Sequence, residues 1–376
     1  VMPPLLQACR ITPEVQMIGD EEEPNLDEEK WHVVRLPGDT SQLGIKTSCL
    51  ELKATACSML VCYCREVGAS QKFAPYMDEI VKLALQLLTF YFHEDVRVHA
   101  AEILESVVKH HGIEPWQAYD MCSAFISAIQ SDPDETVVPE LLDMFAKSIE
   151  NLLATPEKIF KDKQLSTIFE ILGEFLKEHI DKSIERSDRR INDKQNVDEG
   201  DEEEMVEAAE EDEYLLNKIA DMMHSILGTQ KENCLSDYDQ IHHYFERLID
   251  SSNVFTDRQW AICVFDDIIE RCGSASLKYA PTFLNHLVNG LNDEIGEIRQ
   301  ACSYGIGILA KSCQLHNMHG TIYDQALQQS VVELKKAIQT GIENRNADAK
   351  IPDDIENHLF EPDVWENAVS ALGKIL

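Results

Sequence analysis

One spacing recurs along this chain and limits what it can fold into. Residues 95–104 read DVRVHAAEIL, and residues 293–306 close in the same way, as DEIGEIRQACSYGI. The shared frame is an apolar residue, a reference position, two free positions, two small or apolar residues, two free positions and a large apolar residue. It fits with reference positions Lys53, Arg97, Val138, Leu216, Arg299 and Trp365. Arg258 fits too, with Asp257 where the leading apolar residue should stand. Successive references are 44, 41, 78, 42, 41 and 66 residues apart. Four of those six intervals match HEAT-type repeats, in which each unit is a pair of antiparallel helices. The two long intervals read as one period plus an insertion.

Second helices of suitable length lie between the frames. Residues 277–292 place Ala280, Phe283, Leu284, Leu287, Val288 and Leu291 on one stripe at helical spacing. Residues 78–91, 115–130, 164–186, 234–250 and 322–341 behave similarly. Strand-like alternation is confined to WHVVRL, from Trp31 to Leu36. The expected fold is therefore all-α, an α-solenoid (superhelix) of HEAT repeats. The small frame residues, Ala100 and Ala101 or Cys302 and Ser303, let neighbouring helices approach closely. Arg97 and Arg299 each follow an acid by two positions (Asp95, Glu297). With Arg258 they suit a ladder of polar contacts between repeats.

The same spacing divides the chain. Residues 1–49 form the end of a preceding repeat plus an acidic loop. Repeats follow at 50–92, 93–132, 133–187, 214–252, 255–293 and 295–342. An acidic insertion takes 188–213, a polar insertion 343–362, and the first helix of a truncated repeat 363–376. The chain starts in what reads as a helix tail and stops inside a frame helix. Since solenoids need capping repeats, it reads as the interior of a longer one.

Charge is the next constraint. The formal net charge is −35, which argues against a nucleic-acid or anionic-membrane surface. Residues 20–29 carry seven acids and residues 198–213 carry eleven; without those eighteen, 50 acids face 33 bases. No stretch of 18 apolar residues suggests a membrane span, and residues 1–15 lack the pattern of a secretory signal. The eleven cysteines form no CxxC pair, so buried reduced thiols are the expected state.

Little points to catalysis. YGIGIL (304–309) resembles a glycine-rich nucleotide loop but lies inside a frame helix with no strand before it, which favours close helix packing. Asp239, His242, His243 and Glu246 share part of a helical face, yet no Cys-rich partner segment completes a zinc site. His110 and His111 precede Gly112 and read as a helix C-terminal cap. Asp266, Asp267 and Glu270 read as a solvated or partner-facing helix edge rather than an acid/base pair. Trp116, Trp260 and Trp365 read as packing residues and Trp31 as a loop residue. No catalytic residue, metal or cofactor is expected.

The second acidic run comprises Asp198, Glu199, Asp201, Glu202, Glu203, Glu204, Glu207, Glu210, Glu211, Asp212 and Glu213. Three readings stand. It is a solvated, mobile insertion that keeps the chain soluble, or a polyanion that attracts a basic partner. In the third, the preceding KSIERSDRRINDK (182–194) pairs with it until a partner displaces it.

Several stretches are similar to one family. GIKTSCLELKATACSMLVCY (44–63), FYFHEDVRVHAAE (90–102), DRQWAICVFDDIIERC (257–272) and SASLKYAPTFL (274–284) resemble the importin-5, or karyopherin beta-3, branch of the importin-beta family. VMPPLL at the start and the acidic segment near 200 share the likeness; residues 311–320 and 343–362 depart from it. The resemblance implies a non-catalytic nuclear import receptor that binds basic cargo bearing nuclear localisation signals. It implies Ran-GTP as the release signal, bound mainly through repeats absent here, and Phe-Gly nucleoporins as further partners. It also implies a monomer that shuttles between cytoplasm and nucleus, with no membrane or direct nucleic-acid binding. No contact residue transfers, so the acidic run is the candidate cargo site on electrostatic grounds alone. A structural HEAT scaffold of another kind, or the helical flank of a large enzyme, would share the period and composition.

Overall fold

The computed structural model describes residues 1–18, 31–35, 42–68, 70–112, 115–152, 159–160, 163–192, 199–318, 322–348 and 359–376. The chain divides into two units, Val1–Ile168 and Phe169–Leu376, with the division inside one long helix.

The first unit begins with α1 (Met2–Cys9) and three short strands, β1 (Val15–Ile18), β2 (Trp31–Arg35) and β3 (Gln42–Lys46). Helices α2 (Thr47–Val67), α3 (Met77–Leu87), α4 (Glu94–His111), α5 (Pro115–Ser131) and α6 (Val137–Asn151) follow. Helix α2 packs on α4 and α4 on α6, while α3 lies against α4 and α5 against α6. That is repeat packing: every second helix stacks on its counterpart, and the helices between cover the other side.

The second unit takes most of α7 (Gln164–Asn192), then α8 (Glu199–Gln230), α9 (Leu235–Leu248) and α10 (Phe255–Arg271). It continues with α11 (Ala280–Gly290), α12 (Gly296–Leu315), α13 (Ile322–Asp348) and α14 (Pro362–Ile375). Helices α8, α10, α12 and α14 pack in succession, with α9, α11 and α13 beside them. All seven frame positions fall in the even-numbered helices, from Lys53 in α2 to Trp365 in α14.

Side-chain size explains the packing. Ala100, Ala101, Cys302 and Ser303 are buried, with Cys302 against Gly290 of α11, and Leu104 and Ile306 are buried one turn on. Burying each such aliphatic contributes about 1.5–3 kcal/mol. Aromatic pairs lock the rows together. Phe125 of α5 stacks on Phe145 of α6 with ring centres 4.8 Å apart, and Phe265 of α10 stacks on Phe283 of α11 at 4.5 Å. The glycines of YGIGIL serve two different neighbours. A Cβ at Gly305 would overlap Asp266 of α10, and one at Gly307 would press on the Ala371 backbone of α14 at 3.1 Å.

The small sheet modifies an otherwise helical expectation. Its order is β1-β3-β2, all antiparallel, with Val15 opposite Ile45 and Trp31 opposite Lys46. Trp31 therefore opens a strand and is not a loop residue. Ile45 is fully buried, so the sheet is anchored through β3, which runs directly into α2.

Candidate functional site

The two basic–acidic systems of the chain play different parts. At the repeat positions, Arg97 sends Nε to Asp132 Oδ2 at 2.7 Å, Nη2 to Asp132 Oδ1 at 3.0 Å and Nη1 to the Phe90 carbonyl at 3.3 Å. Arg258 sends Nη1 to Asp293 Oδ2 at 2.7 Å and Nη2 to Oδ1 at 3.4 Å. Both partners lie 35 residues on, just past the end of the second helix of the pair. Arg299 donates to the Asp293 and Glu294 carbonyls at 2.7 and 2.9 Å and to the Glu361 carboxylate. The arginines thus bond to Asp132, Asp293 and Glu361, which lie far along the chain from them or in the loop before the helix, and not to the acids two positions before them.

Burial decides how these two carboxylates titrate. Asp132 has no exposed side-chain surface, and burial pushes its carboxyl up despite the downward pull of Arg97. Asp293 is 18% exposed; burial pushes it up, but the bonds from Arg258 and the Ile295 N–H, with the charges of Arg258 and Arg299, together outweigh that and its carboxyl titrates low. The arginines are held in place by this bonding, and Arg97 is itself buried.

The acidic run is arranged quite differently. From Glu199 onward it forms the first turns of α8. Asp198 and the side chain of Glu199 lie outside the described residues. Helix formation there has three physical supports. Glu and Ala have high helix propensity, acids at a helix N-terminus meet its positive end, and α7 supplies cations. Arg189 pairs with Asp201 at 2.7 Å and Arg190 with Glu202 at 2.8 Å; Arg186 pairs with Asp212, and Lys182 reaches Asp212 at 3.6 Å. These offset the like-charge repulsion that i, i+3 and i, i+4 glutamates impose.

The pairing sorts the run into two faces. Asp201, Glu202 and Asp212 turn toward α7, and Met205, 4% exposed, anchors the same side. Glu203, Glu204, Glu207, Glu210 and Glu211 are exposed, with Glu213 half-buried. Two large side chains stand among the exposed acids at helical spacing, Val206 and Tyr214, at 44% and 43% exposure. Lys218 sits over the Tyr214 ring at 5.2 Å. The result is an anionic stripe with two apolar contact points, displayed by a helix braced from behind. Val206 and Tyr214 were legible only as members of the same i, i+3, i+4 rows as the acids.

The other candidate clusters are absorbed into packing. Asp239 accepts from Lys278 Nζ at 2.7 Å and from the Tyr279 hydroxyl at 2.7 Å. His242 bonds the Tyr238 hydroxyl at 2.9 Å and lies among the rings of Tyr238, Tyr279 and Phe283. Among the described residues, no three His, Cys, Asp or Glu side chains converge as metal ligands. No helix among them is long and apolar enough to cross a membrane. His110 and His111 occupy the last turn of α4 before Gly112, whose φ is +68°, and His111 stacks on Phe73. Trp116 lies in α5, its side chain outside the described residues. Asp267 binds His224 at 2.8 Å and Arg271 at 3.0 Å, and Glu270 accepts from Tyr304 at 3.2 Å. Asp266 is buried; it is not part of a solvated edge.

Comparison with known proteins agrees with this architecture. Residues 137–251 match the family model described as importin repeat 6. The chain is 27% identical over 323 residues to importin subunit beta-3 of Saccharomyces cerevisiae, covering 83% of this chain and 28% of that protein. It is 22% identical over 341 residues to a probable importin-5 homolog of Dictyostelium discoideum, covering 87% of this chain and 30% of that one. The crystal structure of Kap121p bound to Nup53p superposes with a TM-score of 0.76 at 21% identity, over 100% of this chain and 32% of Kap121p. The chain thus spans about a third of the length of these relatives.

Proposed function

We propose that the chain is a non-catalytic segment of a nuclear transport receptor of the importin-beta family, a reading supported by its match to importin repeat 6 and its similarity to importin subunit beta-3. In this reading, α8 takes basic cargo along its outer face. The observation that carries the proposal is the division of the acidic run. One set of carboxylates is neutralised by α7, and Glu203, Glu207, Glu210 and Glu211 stand exposed beside Val206 and Tyr214. A Lys/Arg-rich segment with an apolar residue about one helical turn from its charges fits such a stripe. Steering by the net charge of −35 raises its encounter rate.

The remaining partners follow from the family. Ran-GTP releases cargo in the full-length receptor, and nucleoporins engage the repeats, as Kap121p does Nup53p. The receptor shuttles between cytoplasm and nucleus as a monomer. Binding rests on surface complementarity, with no covalent chemistry.

Fluorescence anisotropy with a labelled Lys/Arg-rich peptide tests the site. Exchanging Glu203, Glu207, Glu210 and Glu211 for Gln removes four exposed contacts worth about 0.2–1 kcal/mol each. The variant is expected to bind roughly tenfold more weakly at low salt, and the difference should shrink as salt rises. A control exchanging the exposed Glu66, Glu94, Glu294 and Glu297 should change affinity far less. Equal affinity of wild type and the α8 variant at low salt rejects the site.

A further inference from the structure

Asp266 differs from the other acids of its unit. It sits in the middle of α10, is 4% exposed, and its Oδ1 has no hydrogen-bond partner. The carboxyl lies against the bare backbone of Gly305 in α12, where any Cβ would overlap Oδ1 and touch Leu287 of α11 at 3.1 Å. The charges that act on it are those of carboxylates, and no cation is bonded to it. Cys263, Asp267 and Glu270 share its helix, and Cys302 and Tyr304 face it from α12. Helix α11 presents Leu287. On the α8 side, His224 and Arg271 are both bonded to Asp267.

An unpaired carboxylate in such surroundings is costly, so the group keeps its proton instead. Burial pushes the Asp266 carboxyl well above the usual range, and the charges of Asp267 and Glu270 push the same way.

We propose that Asp266 makes the α10–α12 contact a proton-dependent joint, closed while the carboxyl holds its proton and loosened when it ionises. The neutral acid packs against Gly305 much as an amide would. The ionised acid has no cation bonded to it, and separation of α12 from α10 with entry of water relieves it. Because the carboxyl is raised in the folded chain, its contribution to stability is complete below the ordinary carboxyl range. That contribution is lost as pH rises toward the folded value. One linked proton changes the opening equilibrium by up to about tenfold per pH unit. The same residue thus weakens a helix contact at neutral pH that a neutral side chain would hold shut.

Hydrogen exchange by mass spectrometry on the whole chain, corrected for intrinsic rates between about pH 5.5 and 8.5, tests this. Protection of α10 and α12 peptides in the wild type is expected to fall with pH, by up to about tenfold per unit. Peptides of α3 should stay level. In Asp266→Asn the α10 and α12 protection should be flat and higher than wild type at the alkaline end. Should that variant not fold, Asp266→Leu carries the same expectation. A flat wild-type profile, or an equal pH dependence in either variant, overturns the proposal. These results are independent of whether α8 binds a basic partner.

Discussion

At the scale of single residues, burial sets how much a charged group matters. Arg97 and Asp132 form a pair whose side chains are 3% and 0% exposed; the corresponding Arg258 and Asp293 are 15% and 18% exposed. Removing one partner of a buried pair strands the other, at a cost of about 3–5 kcal/mol. Arg97→Met should therefore cost that much by urea denaturation, and Arg258→Met nearer about 2 kcal/mol. Equal losses would contradict the burial argument. The two acids also carry opposite pH signatures. Asp293 is held low, so its contribution is present above the ordinary carboxylate range and lost as pH falls through its folded value. Asp132 is held up, so its contribution is present in acid and lost as pH rises. The arginines were legible from their place in the frame. Their partners were not, because a contact 35 residues away depends on where the intervening helix ends.

At the scale of elements, hydrophobic period carries most of the information. The stripe Ala280, Phe283, Leu284, Leu287, Val288 is buried as α11, and the small–small frame positions Ala100, Ala101, Cys302 and Ser303 are buried too. Two kinds of element resist this reading. Of the three strands only β2 lies in a stretch with strand-like alternation, WHVVRL; β1 and β3 are four and five residues long, too short for alternation to rise above chance. The acidic run has no apolar stripe of its own beyond Met205, so nothing in its period marks a helix. It becomes helical through propensity and through pairing with Arg186, Arg189 and Arg190 of α7. Close approach at Gly307 is the sharpest consequence at this scale. Gly307→Leu drives a side chain into the Ala371 backbone of α14, 3.1 Å from where a Cβ would stand, at a cost of about 1–3 kcal/mol. Differential scanning calorimetry should show a lower Tm, and hydrogen exchange should place the loss in α14. An unchanged Tm would mean that α14 yields freely.

At the scale of the whole molecule, the repeat interval of a little over forty residues was readable because each helix pair must bury one face on the next. Seven reference positions, all in even-numbered helices, express that requirement. The charge imbalance was equally readable, while the sorting of acids into a braced set and an exposed set needed the α7–α8 geometry. Zero-length carbodiimide cross-linking of a Lys-rich peptide to the chain, mapped by mass spectrometry at low salt, tests the central claim most directly. Cross-links concentrated on Glu203, Glu207, Glu210 and Glu211 are the predicted result. Cross-links spread evenly over exposed acids, or centred on α9, α11 or α13, would contradict it.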